Sequence, residues 1–136
     1  MKTKACNDYE KKRSPKTVVL EKDFAGIKAG QKMFVGTPQI VAKYIDSIAT
    51  GTSESIPRLR NRIARRHRCD AMCPVSTAIF LRIVADWATE ALDQGGPPSA
   101  VTPFWRVISP TDKVAKKISM DITRLGAMRL AEGIVD

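Results

Sequence analysis

The stretch PVSTAIFLRIVADWATEALDQGG, beginning at Pro74, constrains the fold more than any other part of the chain. At about 100° per residue, Phe80, Leu81, Val84, Trp87, Ala88, Ala91 and Leu92 merge into one wide apolar face. Arg82, Asp86, Glu90 and Asp93 form the opposite edge, with Arg82 and Asp86 at pairing distance. The spacing predicts a helix over 75–93 whose face other elements of a single domain must cover. Its first turn breaks the pattern. Val75, Ala78 and Ile79 fall toward the polar side, which predicts contact with another element or a partner. Gly95, Gly96, Pro97 and Pro98 then close the helix and open a loop.

Two shorter helical patterns precede it. In GTPQIVAKYIDSIATG, Thr37 is a good N-cap and Pro38 suits the first helical position. Ile40, Val41, Tyr44, Ile45 and Ile48 share one stripe, and Gly51 is expected to end the helix. In SESIPRLRNRIARRHR the apolar stripe is narrow, made of Ile56, Leu59 and Ile63. Opposite it the helical period gathers Arg58, Arg62, Arg65 and Arg68, with few acids nearby in sequence to pair with them. Guanidiniums so placed repel one another and suit phosphate oxygens, onto which arginine forks. The alternative is a solvated face answered by acids from elsewhere in the chain. A last helix, SMDITRLGAMRLAEGI, is expected to start at a Ser119 cap and end near Gly133. Ile122, Leu125 and Met128 would face the core, with Gly126 a weak point.

The remaining segments read as less regular. Residues 1–30 are polar and lysine-rich and predict a mobile basic arm ahead of a domain over 31–136. At most a short strand is expected there, in KTVVLEKDF. VTPFWRVIS, residues 101–109, reads as a short extended segment. No apolar run reaches the roughly 18 residues that a membrane span requires. The first residues carry charge but no apolar core, and three cysteines make no disulfide framework. A cytoplasmic setting is expected.

The chemistry-bearing residues point away from catalysis. His67, Cys69 and Cys73 are not spaced as two pairs of zinc ligands, and Cys6 lies far away, so no metal site is predicted. A Cys–His pair would have to use His67, the single histidine, and Cys69 stands at the wrong helical distance to face it. No glycine-rich phosphate loop or carboxylate pair stands out, so neither cofactor nor enzyme activity is expected. The charge balance says more. Lys plus Arg number 23 against 14 Asp plus Glu, a net +9 that favours nucleic acid or an anionic surface as partner.

Several features taken in order resemble a known family. They are the helix closing at Gly51, the helix from about Pro57, the Cys73-Pro74 step, Pro103-Phe104-Trp105-Arg106-Val107 and Glu132-Gly133. Together they resemble the DNA-binding domain of the methylguanine-DNA methyltransferases and their catalytically dead relatives, the alkyltransferase-like proteins. The resemblance covers roughly residues 33–134. It implies a mainly α, winged helix-turn-helix-like domain with a short strand or wing and a C-terminal helix. The helix from Val75 would enter a groove of double-stranded DNA with Ser76 and Thr77 nearest the bases, while Arg58, Arg62, Arg65 and Arg68 hold phosphates. A DNA-repair setting is implied as well.

The departures from the family matter equally. Phe104 stands where the family has its nucleophilic cysteine and Trp105 where it has the activating histidine; Arg106 and Val107 keep the family's types. Ile56 replaces a tyrosine that helps rotate a nucleotide, and Ala78 an arginine that fills the gap in the base stack. No alkyl transfer is expected, because neither thiolate nor base remains. Base flipping loses the groups that compensate for lost stacking. Phe104 and Trp105, with Arg106 behind them, either line a pocket for an extruded base or plug the site as core. The expected function is non-enzymatic DNA binding. The alternative is a protein-interaction module on the same scaffold, marked by an apolar surface patch around Ile79 and Phe104.

Overall fold

The computed structural model describes residues 2–135 and is mainly helical, as the patterning predicts. Its centre is α4 (Pro74–Asp93), against which α1 (Lys4–Glu10) and α2 (Pro38–Asp46) both pack. Helix α3 (Ile56–Arg66) runs between α2 and a small sheet, and α5 (Ile122–Ala131) closes the chain. The wide face of α4 is covered as its width requires. Leu81, Val84, Ala85 and Ala88 are buried with Val41 and Ile45 of α2, Leu59 and Ile63 of α3, and Leu125 of α5.

Local chemistry sets the helix starts. The Thr37 hydroxyl accepts the Ile40 N–H at 3.2 Å, and Ser55 caps α3 through the Arg58 N–H at 3.2 Å. The buried thiol of Cys73 does the same for α4, accepting from the Ser76 N–H at 3.5 Å. Two boundaries differ from the sequence reading. Helix α2 stops at Asp46, capped by Ser47, and Gly51 lies beyond it in a left-handed turn with φ +80°. Helix α5 begins at Ile122 under an Asp121 cap, whose carboxylate accepts the Arg124 N–H at 2.8 Å, while the Ser119 N–H donates to Asp86 at 2.7 Å. Ile122 consequently points to solvent, whereas Leu125 is buried and Met128 packs on the core.

The segment expected to be a mobile arm is built into the fold. Strand β1 (Lys16–Val19) pairs antiparallel with β2 (Lys32–Val35), and β3 (Ala71–Met72) lies parallel to β2, giving the order β1-β2-β3. Ile27, Met33 and Cys73 make a second small core beneath this sheet. Ahead of it, Tyr9 of α1 stacks flat on Trp87, with ring centroids 3.7 Å apart. The Thr3 hydroxyl donates to Glu90, and the Arg13 guanidinium lies 5.7 Å from the centre of the Phe80 ring. The lysine count hid this docking, since one aromatic ring is enough to cover an edge of α4. We expect Tyr9→Ala to cost about 1–2 kcal/mol, read as a fall of several degrees in the unfolding midpoint. An unchanged midpoint would return α1 to the status of a loose arm.

The expected extended segment over 101–109 is also different. Residues Phe104–Arg106 form a 3₁₀ turn, flanked by two others at Pro98–Ala100 and Lys113–Lys116. The Pro103 carbonyl accepts the Arg106 N–H at 3.0 Å, and the Phe104 carbonyl takes those of Val107 and Ile108. The described strands therefore come from the N-terminal segment and the α3–α4 connection, not from a wing after α4. This turn touches α2, α4 and α5 together.

Candidate functional site

The outer face of α3 carries the strongest concentration of positive charge. Arg58, Asn61, Arg62, Arg65 and Arg66 line a cleft of about 450 Å³, and all four arginines are exposed. Three of the four arginines predicted for this face are present. Arg68 is not, because α3 ends at Arg66, and beyond the His67 cap Arg68 turns away with φ +57°. A helical period cannot be extended past the helix. Arg66 takes the vacated place, its guanidinium 4.8 Å from the centre of the Tyr44 ring.

Among the described residues one acid answers this face. A carboxylate oxygen of Glu54 accepts from Arg58 Nε at 3.1 Å and lies 3.4 Å from Arg62 Nε. The Tyr44 hydroxyl donates to the same carboxylate at 2.8 Å. Burial and then the Glu54 bond push the Tyr44 phenol up to about 12, so it remains a donor. Glu54 stands four residues before Arg58, a pairing distance legible in the sequence; its contact with Tyr44 of α2, made from the loop ahead of α3, was not. On the other side of the same pair, Arg58 and Arg62 also border a cleft of about 620 Å³ rimmed by Ser47, Thr52, Ser53 and Ser55.

The start of α4 turns Val75, Ala78 and Ile79 to the polar side as the helical period predicts, but not the side chains that the resemblance placed nearest the bases. Thr77 is fully buried, and its hydroxyl donates to the Cys73 carbonyl at 2.6 Å. It lies on the stripe of Phe80, Leu81 and Val84, and core packing claims it. Ser76 is half-buried, with a hydroxyl that makes no hydrogen bond. The outward positions are instead Val75, 54% exposed, Ile79, 46% exposed, and Ala78. Neither polar side chain named for base contacts is offered to a groove.

Phe104, Trp105 and Arg106 belong to a structural knot. The Phe104 side chain is 0% exposed and Trp105 1%, their rings edge to face at 5.4 Å. The Trp105 indole N–H donates to Glu132 Oε2 at 2.7 Å. Arg106 grips both oxygens of that carboxylate, at 2.8 and 3.0 Å, and the Gly51 N–H adds a fourth bond at 2.9 Å. Burial pushes the Glu132 carboxyl up, but these donors prevail and hold it at about 2. Arg106 also donates to the Ile48 carbonyl and the Thr50 hydroxyl, and its own carbonyl takes the Glu54 N–H at 2.9 Å. A cleft of about 650 Å³ opens beside the knot, walled by Trp87, Trp105, Asp46 and residues 98–103, but not by Phe104. With Phe104 sealed inside, no surface patch joins it to Ile79.

The remaining candidates are structural. The His67 ring stacks on Phe34 at 4.0 Å, and the Cys69 thiol sits 3.4 Å from the Thr17 hydroxyl. Among the described residues no group of three or more His, Cys, Asp or Glu is placed to hold a metal ion. Nor is any helix among them long and apolar enough to cross a membrane. No protein family, curated protein or solved structure matches the chain.

Proposed function

We propose that the protein is a non-enzymatic binder of double-stranded DNA that holds the phosphate backbone in the arginine cleft of α3. The observation that carries this reading is the cleft itself: Arg58, Arg62, Arg65 and Arg66 around one concavity, with Glu54 the acid paired to it. A net charge of +9 supports a polyanionic partner, and the sequence resemblance to alkyltransferase-like proteins supports setting α3 and α4 against the duplex, although no described strand follows α4 as a wing. Alkyl transfer is not part of the reading, since a sealed phenyl ring occupies the position resembling the nucleophile. With Thr77 buried and apolar residues outward on α4, contacts to phosphate rather than to base edges carry the affinity.

A labelled duplex titrated at several salt concentrations tests this. Binding is expected to weaken steeply with salt, and an Arg62→Ala, Arg65→Ala double variant to lose roughly tenfold or more in affinity. Its log–log salt slope should also fall by about 1.8, the value for two phosphates no longer neutralised. An unchanged double variant removes the cleft from the interface. A duplex carrying alkylated guanine is expected to bind no better than a plain one. Exposed Val75 and Ile79 favour a second reading, a protein-binding turn at the start of α4. Absence of duplex binding even at low salt selects it.

A further inference from the structure

We infer that Glu54 is a positioning residue for the arginine cleft, setting Arg58 and Arg62 as a pair of forks aimed at a phosphate strand; this rests on the phosphate-binding reading above. A carboxylate beside an anion site ought simply to oppose the anion. The geometry argues otherwise. Glu54 meets both arginines through Nε, at 3.1 and 3.4 Å, and so leaves the paired terminal nitrogens of each guanidinium, the ends that fork onto phosphate, for a ligand.

Glu54 is itself fixed from two sides. Its carboxylate accepts the Tyr44 hydroxyl at 2.8 and 2.9 Å, and its N–H donates to the Arg106 carbonyl at 2.9 Å. The side chain is largely buried, whereas those of Arg58 and Arg62 are about half exposed, at 58% and 48%. A fixed anchor thus holds the roots of two long side chains whose tips are free. Arg58 and Arg62 stand one turn apart, roughly 5–6 Å between Cβ atoms, and both border the clefts on either side. From Arg58 to Arg66 the row extends about 12 Å along the helix, too long for one phosphate and suited to successive phosphates of a strand.

The sign of one substitution decides the matter. Glu54→Gln removes a negative charge from the cleft, so charge alone makes DNA binding tighter. Positioning makes it weaker, because a neutral amide holds the two arginines less firmly and their ordering must then occur on binding. We expect a loss of roughly tenfold, with the salt slope falling by about 0.9 for each arginine that no longer seats. Glu21→Gln, in the β1–β2 loop outside the cleft, makes the same change of charge and is expected to bind as well as the parent or slightly better. Tyr44→Phe keeps the ring under Arg66 and removes only the bond to Glu54; a loss of about threefold is expected. It also gives a second reading should Glu54→Gln fold poorly, which circular dichroism at the assay temperature reports. A Glu54→Gln protein that binds as tightly as Glu21→Gln, or a Tyr44→Phe protein with parental affinity and slope, overturns the inference while duplex binding stands. Failure of the parent to bind any duplex removes the phosphate-binding reading and this one with it.

Discussion

Glu132→Gln is expected to lower the unfolding midpoint by roughly 10 °C at neutral pH, corresponding to about 3 kcal/mol. The carboxylate ends four donor bonds that tie the end of α5 to the Trp105 turn and to Gly51 in the loop after α2. Glutamine keeps a carbonyl for one or two of these and turns an NH₂ toward the rest, leaving Arg106 largely buried without its counter-charge. The same carboxylate gives a pH signature. Its pKa lies at about 2 in the folded protein against an ordinary 4.5, so the folded state favours the ionised form. That contribution is complete above the unfolded value and is lost as pH falls from about 5 to 2, amounting to about 3 kcal/mol at 1.36 kcal/mol per unit. Unfolding midpoints measured across this window should fall with acid in the parent and fall less in Glu132→Gln. Parallel acid limbs in the two proteins, or equal midpoints at neutral pH, would remove Glu132 from the centre of the knot.

How much of this was legible in the sequence depends on how far apart the cooperating residues lie. Helix α4 could be read almost to the residue, because a twenty-residue element with a wide apolar face has one periodic solution. The arginine face was legible for the same reason, and failed only where the helix ended, at Arg68. Thr77 shows the limit of reading by resemblance: the resemblance implied base contact, but the stripe it shares with Phe80, Leu81 and Val84 placed it in the core. Tyr9 on Trp87 and Glu132 on Trp105 join segments 78 and 27 residues apart, and no spacing rule encodes either. Gly51 was noticed for the right backbone property and given the wrong role. Its left-handed conformation serves a turn whose N–H meets Glu132; a Cβ there would lie 3.2 Å from the Glu132 carbonyl oxygen.

Phe104→Ala is expected to destabilise the protein by about 3–5 kcal/mol, the range for emptying a phenyl-sized space in a packed interior. Total stabilities of such domains are only about 5–15 kcal/mol, so the midpoint should fall by well over 10 °C. The ring is 0% exposed, sits edge-on to Trp105, and belongs to the turn where α2, α4 and α5 meet. Duplex affinity measured well below the new midpoint should stay within about twofold of the parent, since no atom of the ring reaches the surface. A base-accepting pocket makes the opposite forecast, a small change in stability and a large loss in binding. The two readings thus separate on one protein sample, by unfolding and by anisotropy. The same burial bears on reactivity. A thiol placed at this position by Phe104→Cys would be enclosed in apolar surroundings that raise its pKa, with the Trp105 indole donating to Glu132 and offering no base. It is expected to react with a thiol reagent only as the protein unfolds and to take up no alkyl group from DNA. Burial at this turn would therefore by itself withhold a thiol from reagents in solution.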